Sequence, residues 1–533
     1  MFNLLSVYDS AASTPEEDPF TQVNDVIAGW LNTGYDSSIV WVLSALLLGV
    51  GLYYSIRTNF MQIRLFPHMV KVIFKSRKGA KGGISSFQAF TIGIAERVGT
   101  GSIAGIALAV VAGGPGSVFW MWVVATLGMA TAFIESTLAQ LFKVRNGDGT
   151  FRGGPSYYIM RGLGSRRWGM IFSVLLIFTY GCTFEMVQAN SMAQLAHVSF
   201  GIPTWVSALI LVVMILPLLV GGIRRIARFS EWLAPLMAVI YICMGLLVLV
   251  INFREIPYVF EQIFASAFGQ GDYVPPAVAG AGGAFIAALT QGVKRGLYTN
   301  EAGMGAVPNA AATATVEHPV TQGMIQSLAV FVDTMMICTT TAFIILLSTP
   351  FWDPARGSDV NGTALTNDSL VSTLGYDNPA IKTVIAVVIM VMMIAFGYST
   401  ILGNYTYAES NWGFLVGRSK STVPVRLLAI ISSALGAVLP LAAAWALSDW
   451  VFSVMAVVNL AALVLLGKWA VGALRDYEAQ RREGKTPVFC SRNNSYLPGV
   501  LPTEVWEVPG GHDPSWVTAD EPPVGSVSPG SAS

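Results

Sequence analysis

The sequence predicts an all-α, polytopic membrane protein with eleven transmembrane helices. Of its 533 residues, 53% are hydrophobic and only 12% are charged, which is about half the charged fraction of a typical soluble domain. Apolar stretches of about 20 residues, long enough to cross a hydrocarbon core, recur between residues 38 and 470. We therefore expect a bundle of membrane-spanning helices joined mostly by short loops.

Hydropathy divides this region into eleven candidate spans separated by polar breaks. The segment before them, residues 1–37, is polar and acidic and lacks a basic start followed by an apolar stretch. We expect it to be an extracytoplasmic segment and not a cleaved signal peptide. The predicted spans, named helix 1 to helix 11 in chain order, lie near residues 38–56, 87–112, 115–142, 168–196, 203–222, 230–251, 281–305, 322–348, 381–403, 425–446 and 449–470.

Basic residues are concentrated on one side of the predicted bundle. Nineteen Lys and Arg residues fall on the loops that follow helices 1, 3, 5 and 9, against only Arg254, Arg356 and Lys382 on or beside the opposite loops. The positive-inside rule then predicts an outside N-terminus and a cytoplasmic C-terminus. Residues 471–533 turn charged and then rich in Pro, Gly and Ser, so we expect a disordered cytoplasmic tail.

Helix 2 and helix 7 are glycine-rich and polar at membrane depth. Helix 2 contains Gly99, Gly101 and Gly105, and helix 7 contains four glycines around Gln291 and residues 300–301. Because glycine weakens a helix, we expect both to be discontinuous, which a membrane tolerates only where the backbone lines a cavity or is buried in protein. For helix 2, a small-residue packing face remains the alternative.

The two predicted breaks are five helices apart. This spacing is expected if helices 2–6, about residues 87–251, and helices 7–11, about residues 281–470, form two inverted repeats. Each repeat then opens with its broken helix, and helix 1 is an extra N-terminal helix. Such half-helix ends offer free N–H groups to a carboxylate and free carbonyls to an ammonium group or a metal cation.

Adjacent hydroxyls on helix 9 suggest one cation site. Ser399 and Thr400 could meet the carbonyls of Ala95 and Val98 where helix 2 begins to unwind, and sodium prefers oxygen ligands of this kind. Hydroxyls in membrane helices often bond to their own helix instead. A second hydroxyl run at residues 339–341 on helix 8 is the competing site.

Charged side chains inside the predicted spans need partners, because a lone charge there costs at least a few kcal/mol. We predict pairing across the two broken helices, of Glu96 or Arg97 with Arg295 or Glu301. The pairs would act as a gate on the inner side of the site or as permanent structural links, and the sequence leaves both open. Other intramembrane acids are candidates for proton or cation contacts or for interhelical tethers: Glu135, Glu185, Asp333 and Glu409.

The sequence resembles the alanine or glycine:cation symporter family, the sodium:alanine symporters of the amino acid-polyamine-organocation superfamily. The resemblance covers roughly residues 38–470 and rests on SSFQAFTIGIAERVGTGSIAG, GGPGSVFWMWVVATLGMATAFIES, GGPSYYIMRGLG and YTNEAGMGAVPNAAATA. It implies the five-plus-five inverted repeat fold and secondary active import of alanine, glycine or serine, coupled to sodium by alternating access. It also implies a multi-pass protein of a prokaryotic cell (inner) membrane.

The resemblance assigns roles to individual residues. Backbone N–H groups of Gly99, Thr100 and Gly101 would hold the substrate carboxylate. The other implied contacts are Gln88, Gln291, Gln188 and Asn190 for the substrate, and Ala95, Val98, Ser399 and Thr400 for sodium. Family members often have Asn where this chain has Ser102, which leaves a second cation contact open. They often carry an aromatic residue near Asn404, which leaves the substrate preference open.

Other functional classes find little support. The four histidines form no HExxH pair, no serine-centred elbow stands out, and the GKT at residues 484–486 lacks the first glycine of a phosphate loop. The four cysteines have no metal-ligand spacing. We therefore expect no enzyme activity, no cofactor, no nucleic-acid partner, no metal other than sodium, and a functional monomer in the lipid bilayer. Proton coupling and an ion channel remain the alternatives.

Overall fold

The computed structural model describes residues 39–75, 84–145, 150–219, 222–273, 280–353, 362–375, 378–417, 421–439 and 441–510. The expected extracytoplasmic segment 1–37 and the end of the expected tail, residues 511–533, lie outside these ranges.

Within the described residues, each predicted span has a helical counterpart, so the all-α membrane fold is confirmed. Six helices are long and apolar enough to cross a membrane by length and composition, or seven if the bent pair in helix 2 is one span. The helices are Ile39–Arg57 (helix 1), Ser86–Arg97 with Gly101–Gly113 (helix 2), Gly116–Leu141 (helix 3), Arg166–Phe200 (helix 4), Thr204–Leu219 (helix 5), Gly222–Ile251 (helix 6), Gly280–Asn300 with Pro308–Thr313 (helix 7), Pro319–Leu346 (helix 8), Pro379–Val416 (helix 9), Val423–Val438 (helix 10) and Leu441–Arg482 (helix 11).

Short elements connect these helices. They include the amphipathic helix Phe66–Lys75 before helix 2 and a two-stranded antiparallel hairpin after helix 3. The connecting elements are the helices Met61–Arg64, Phe66–Lys75, Pro155–Gly162, Ile256–Ala267, Thr349–Trp352 and Thr363–Leu374 and the strands Val144–Arg145 and Phe151–Arg152.

Helix ends follow local sequence signals. Ser85 begins helix 2 in a capping box, in which its hydroxyl accepts from the Gln88 N–H and the Gln88 side chain accepts from the Ser85 N–H. Helix 10 ends at Val438, earlier than the predicted residue 446, and helix 11 begins at Leu441, earlier than the predicted residue 449. The cause is Pro440, since the residue before a proline is driven out of the helical region.

Four of the five helices in the first half of the chain contact the corresponding helix of the second half. Helix 2 contacts helix 7, helix 3 contacts helix 8, helix 4 contacts helix 9 and helix 5 contacts helix 10. Contacts of this kind are expected for two repeats related by a two-fold axis. The two broken helices therefore meet in the centre of the bundle.

The outer surface of the bundle is strongly apolar. Trp232, Val250 and Val213 are 80%, 70% and 63% exposed, and many other large apolar side chains lie on the same outward faces. Exposed apolar side chains in this number are typical of a protein surrounded by lipid. Several membrane-spanning helices are thus evident from both composition and packing.

The segment after helix 11 differs from the expected disorder as far as residue 510. Helix 11 continues to Arg482, beyond the predicted residue 470, and residues 483–510 then pack against the ends of helices 3 and 8. Phe489 and Trp506 are completely buried, and the Trp506 indole N–H donates to the Gln140 carbonyl at 2.8 Å. Two buried aromatic anchors give this polar segment the apolar contacts that its average composition lacks.

Candidate functional site

Helix 2 unwinds at residues 98–100. Its first part, Ser86–Arg97, ends at Val98, and after a bend of 50° the chain continues in a π-helical turn, Gly101–Gly105. A Cβ atom on Gly99 would lie 2.5 Å from the Thr400 Oγ1 and 2.9 Å from the Gln188 Oε1. Only glycine lets side chains from helix 4 and helix 9 reach the backbone at this break.

Helix 9 brings its two hydroxyls to the start of the break. Thr400 Oγ1 donates to the carbonyls of Ala95 (3.0 Å) and Glu96 (3.1 Å), and Ser399 Oγ lies 3.2 Å from the Ala95 oxygen. The structure thus brings together Ala95, Ser399 and Thr400, three of the four residues expected to bind sodium. Val98, the fourth, ends the helix one turn later. Asn404 is fully buried one turn beyond Thr400.

Helix 4 supplies the polar group that faces the unwound backbone. Gln188 Oε1 accepts from the Thr100 N–H at 2.9 Å and from the Thr100 hydroxyl at 2.8 Å. One amide oxygen therefore takes up both hydrogen-bond donors of Thr100. Thr100 and Gln188 are therefore together at the break, as the resemblance implies.

An aromatic layer covers the other side of the break, and it was not anticipated from the sequence. Tyr298 packs on Gly101 so closely that a Cβ there would lie 2.5 Å from its ring. Phe184 and Trp445 stack on Tyr298, with ring centroids 4.6 and 4.7 Å away, and Phe452 completes the layer. Aromatic residues are common in every span, so only their convergence in three dimensions distinguishes these four.

Helix 7 breaks after Asn300, later than its glycine pattern predicts. Gly292 and Gly296 lie inside the continuous helix Gly280–Asn300, and Gly292 allows close packing on the Ser117 backbone of helix 3. The unwound part contains Glu301, with φ 55°, and Gly303 and Gly305, with φ 91° and 84°. Helix 7 is thus unwound at residues 301–307.

Glu135 of helix 3 holds this unwound stretch. Its two carboxylate oxygens accept from the N–H groups of Gly303 and Gly305, each at 3.2 Å. Asn459 of helix 11 donates both to Glu135 (3.1 Å) and to the Gly303 carbonyl (2.8 Å). Irregular backbone buried in the bundle is satisfied by fixed polar partners, which gives Glu135 the role of an interhelical tether.

Arg295 does not pair across the broken helices as predicted. Its guanidinium forms two hydrogen bonds of 3.1 Å with the Asp449 carboxylate and lies over the Trp445 ring. Lys294 contacts the same carboxylate at 2.6 Å. The early start of helix 11 explains the difference, because it places Asp449 two turns inside the helix and not at its first residue.

A contact does join the two broken helices, but between two acids. The side chains of Glu96 and Glu301 lie within hydrogen-bonding range of each other, and the Tyr180 hydroxyl donates to Glu301. Arg97 beside them donates to the Gln326 carbonyl at 3.3 Å. Two carboxylates in contact repel one another, so this pair requires a proton or another cation between or beside them.

Three residues expected to contact the substrate lie away from the breaks. Gln88 caps the start of helix 2, roughly 16 Å from Gly99 at the helical rise per residue, and donates to Glu231 at 3.0 Å. Gln291 lies beside Gly113, at the opposite end of helix 2. Asn190 donates to the Gly436 carbonyl at 2.9 Å and so holds the end of helix 10.

Comparison with known proteins identifies the family. The model of the sodium:alanine symporter family matches residues 24–491. The chain is 41% identical over 462 residues to a probable sodium/glutamine symporter, GlnT, of Bacillus subtilis (strain 168), covering 86% of this chain and 92% of GlnT.

Two further relatives are similar over comparable lengths. A sodium/alanine symporter, AgcS, of Methanococcus maripaludis is 34% identical over 459 residues, covering 84% of this chain and 97% of AgcS. A putative sodium/proton-dependent alanine carrier, YrbD, of Bacillus subtilis (strain 168) is 37% identical over 480 residues, covering 88% and 96%. These are transporters and not enzymes. With two broken helices meeting at its centre, the chain belongs to the sodium:alanine symporter family.

Proposed function

We propose that this protein imports a small neutral amino acid, such as alanine, glycine or serine, together with sodium. The observation that carries this proposal is the convergence of side chains on residues 95–100, the last helical turn and the unwound part of helix 2. Ser399 and Thr400 contact its first carbonyls, and Gln188 occupies its free N–H donor at Thr100. A cation bound at the first end would order the backbone that binds a carboxylate at the second, which couples the two ligands.

The chemistry of the break matches a zwitterion. The Thr100 N–H and hydroxyl can receive a carboxylate after Gln188 moves aside, because both now donate to its amide oxygen. The buried rings of Tyr298, Phe184 and Trp445 would face a short apolar side chain. Their close packing favours a small substrate over a long one.

The orientation and the cycle belong to the same proposal. The charge distribution supports an outside N-terminus and a cytoplasmic C-terminus in the cell (inner) membrane of a prokaryote. Alternating access would then proceed by movement of the broken helices against helices 4 and 9. We propose a functional monomer, since the site is built within one chain.

The test is uptake of labelled alanine into proteoliposomes containing the purified protein. An inward sodium gradient should drive accumulation above the outside concentration, and an equal potassium gradient should not. Unlabelled glycine and serine should compete. Absence of accumulation with every small amino acid and both coupling ions would refute the proposal.

Proton coupling is the second candidate, favoured by the contact between Glu96 and Glu301. In the same vesicles a pH gradient replaces the sodium gradient. Accumulation of alanine driven by the pH gradient alone would show that protons, and not sodium, are the coupling ion. Glutamine belongs among the competitors because a relative is named a sodium/glutamine symporter, and strong competition by glutamine would enlarge the substrate class.

A further inference from the structure

Glu185 of helix 4 is a completely buried acid. Neither of its carboxylate oxygens has a hydrogen-bond partner among the described residues. A π-helical turn, Thr179–Thr183, ends two residues before it, and such turns occur frequently at functional sites. A lone charge at membrane depth is costly, so this carboxyl group requires a proton or a neighbouring cation.

The packing of helix 4 on helix 9 places Asn404 opposite Glu185. The two close approaches that fix the antiparallel register are those of a Cβ on Gly181 to the Ala408 Cβ (3.4 Å) and of a Cβ on Gly397 to the Met192 Sδ (2.6 Å). Glu185 is one turn after the first of these contacts on helix 4, and Asn404 is one turn before it on helix 9. Asn404 is also completely buried, and the two side chains lie near each other without a hydrogen bond of ordinary geometry.

Helix 10 closes the third side with a hydroxyl group. Its Leu428 packs on Gly181, and its Gly436 packs on the residue after Glu185, so the residues between them lie at the level of the acid. Ser433 is in this interval and completely buried, and its hydroxyl has no partner among the described residues. Five polar atoms without partners therefore lie at one level between helices 4, 9 and 10.

Within the described part of the chain, no base is directed to Glu185. Arg426 of helix 10 donates to the Tyr405 hydroxyl at 3.1 Å, and the two bases of helix 7 contact Asp449 of helix 11. Helix 5 carries no titratable side chain. The other titratable groups within two turns of this level are Tyr180, Cys182, Tyr398, Tyr407, Glu409 and, from helix 2 against helix 9, Glu96. These groups supply no counter-ion for an ionised Glu185.

The surroundings suit a proton better than a metal ion. Helix 9 and helix 10 are continuous at this level, so their carbonyls are used by their own helical hydrogen bonds. The side chains then offer four oxygens, two from Glu185 and one each from Asn404 and Ser433. Hard cations usually take more oxygen ligands than this. A proton needs only one oxygen and removes the charge of the acid.

We propose that Glu185 is a proton-binding site linked to the sodium site, and that sodium binding expels its proton to the solvent. Gln188 lies one turn after Glu185, and Asn404 lies one turn after Thr400, so about 5.4 Å of helical rise separates this level from both ligands of the break. The hydroxyls and carbonyls expected to bind sodium are neutral, and an ionised Glu185 would balance the charge of the ion. When sodium leaves, the O–H bond forms again. This inference rests on the proposed function and goes beyond it, because it assigns a proton that moves against sodium.

The test measures equilibrium binding of radioactive sodium to the purified full chain as a function of pH. If one proton must leave for each sodium ion, the half-saturating sodium concentration rises by up to about tenfold for each unit of acidification. In weakly buffered solution, sodium should also release about one proton for each ion bound. Glu185→Gln should bind sodium with an affinity independent of pH and without proton release. Glu185→Asp keeps the carboxyl group and should retain the release.

Glu409→Gln is the matched control, because it removes another acid of helix 9 and should behave like the wild type. Sodium binding to the wild type without proton release, at every pH at which the protein stays folded, overturns the inference. That measurement needs no variant and holds even if Glu185→Gln does not fold. Proton release that persists in Glu185→Gln, or that is lost in Glu96→Gln alone, assigns the proton to another acid and also overturns it. Absence of sodium binding and of sodium-driven uptake in the wild type would instead refute the proposed function.

Discussion

The Thr400 hydroxyl of helix 9 lies 3.0 Å from the Ala95 carbonyl of helix 2, at the last full turn before helix 2 unwinds. This contact joins two helices from different halves of the chain at the point where the backbone loses its regular hydrogen bonds. The freed carbonyls and the nearby hydroxyls form one compact group of oxygens. Sodium dependence should therefore be sensitive to this single hydroxyl.

Thr400→Ala should raise the half-saturating sodium concentration for alanine uptake about tenfold, the equivalent of ~1.4 kcal/mol. The relative uptake of alanine, glycine and serine at saturating sodium should change little. Thr383→Ala on the same helix is the control, since its hydroxyl is exposed and bonds to the Pro379 carbonyl. An unchanged sodium response would show that the sodium site does not include this hydroxyl of helix 9.

Gln188→Glu tests whether the amide oxygen marks the carboxylate position. A fixed negative charge beside Thr100 would repel the substrate carboxylate, because like charges placed together cost several kcal/mol. The half-saturating alanine concentration should rise by at least about tenfold, while the sodium response at saturating alanine changes less. Gln194→Glu, on the same helix, should have a small effect. Equal effects of both variants would contradict the assignment.

Gly101→Ala should destabilise the protein through overpacking. The new Cβ would lie 2.5 and 2.9 Å from two ring atoms of Tyr298, and such clashes cost about 1–3 kcal/mol. We expect a lower melting temperature in detergent, with partial recovery when Tyr298→Ala is added. Gly49→Ala is the control because no atom lies within 4 Å of its Cβ position. Additive effects of the two substitutions would show that the ring does not limit the site.

The sequence could predict the spans and the helix 9 contact for different reasons. Spans depend on local hydropathy, which is independent of where neighbouring helices lie. The glycines of helix 2 predicted the break, and the adjacent hydroxyls Ser399 and Thr400 in an otherwise apolar helix made contact with Ala95 one of the alternatives. Glu135 was one of the acids expected to make a proton or cation contact or an interhelical tether. Its actual partners, and the aromatic layer at Tyr298, were not predictable, since they depend on which helices become neighbours in space.

Boundary errors had direct consequences for the site. Helix 11 was expected to begin at residue 449, and Arg295 was expected to pair across the two broken helices. The earlier start at Leu441 instead places Asp449 inside helix 11, where it binds Arg295. The C-terminal segment was predicted to be disordered from its average composition. That average does not show that two of its aromatic residues, Phe489 and Trp506, are buried against helices that lie far away in the sequence. In both cases a non-local partner overrides a local pattern.

Asp449→Asn should strongly destabilise the protein, because it leaves Lys294 and Arg295 without their buried carboxylate. Removing one partner of a buried ion pair costs about 3–5 kcal/mol. Glu478→Gln is the contrasting variant, since its pair with Arg64 is partly exposed, and such surface pairs contribute about 0–1 kcal/mol. Thermal unfolding of both variants in the same detergent checks the difference. Equal melting temperatures would show that the two bases find other partners.

Two truncations separate the packed part of the C-terminal segment from the remainder. Deletion of residues 511–533 should leave the melting temperature and uptake unchanged, because it removes none of the described contacts. Deletion of residues 487–533 removes Phe489 and Trp506 together with the bonds to Gln140 and Glu317. It exposes apolar surface at the ends of helices 3 and 8, and loss of one buried aromatic side chain alone costs about 3–5 kcal/mol.

Limited proteolysis of the intact protein should accordingly cut after residue 510 before it cuts between residues 487 and 506. Early cleavage within that packed segment, with no loss of stability in the longer deletion, would show that its aromatic residues do not anchor it.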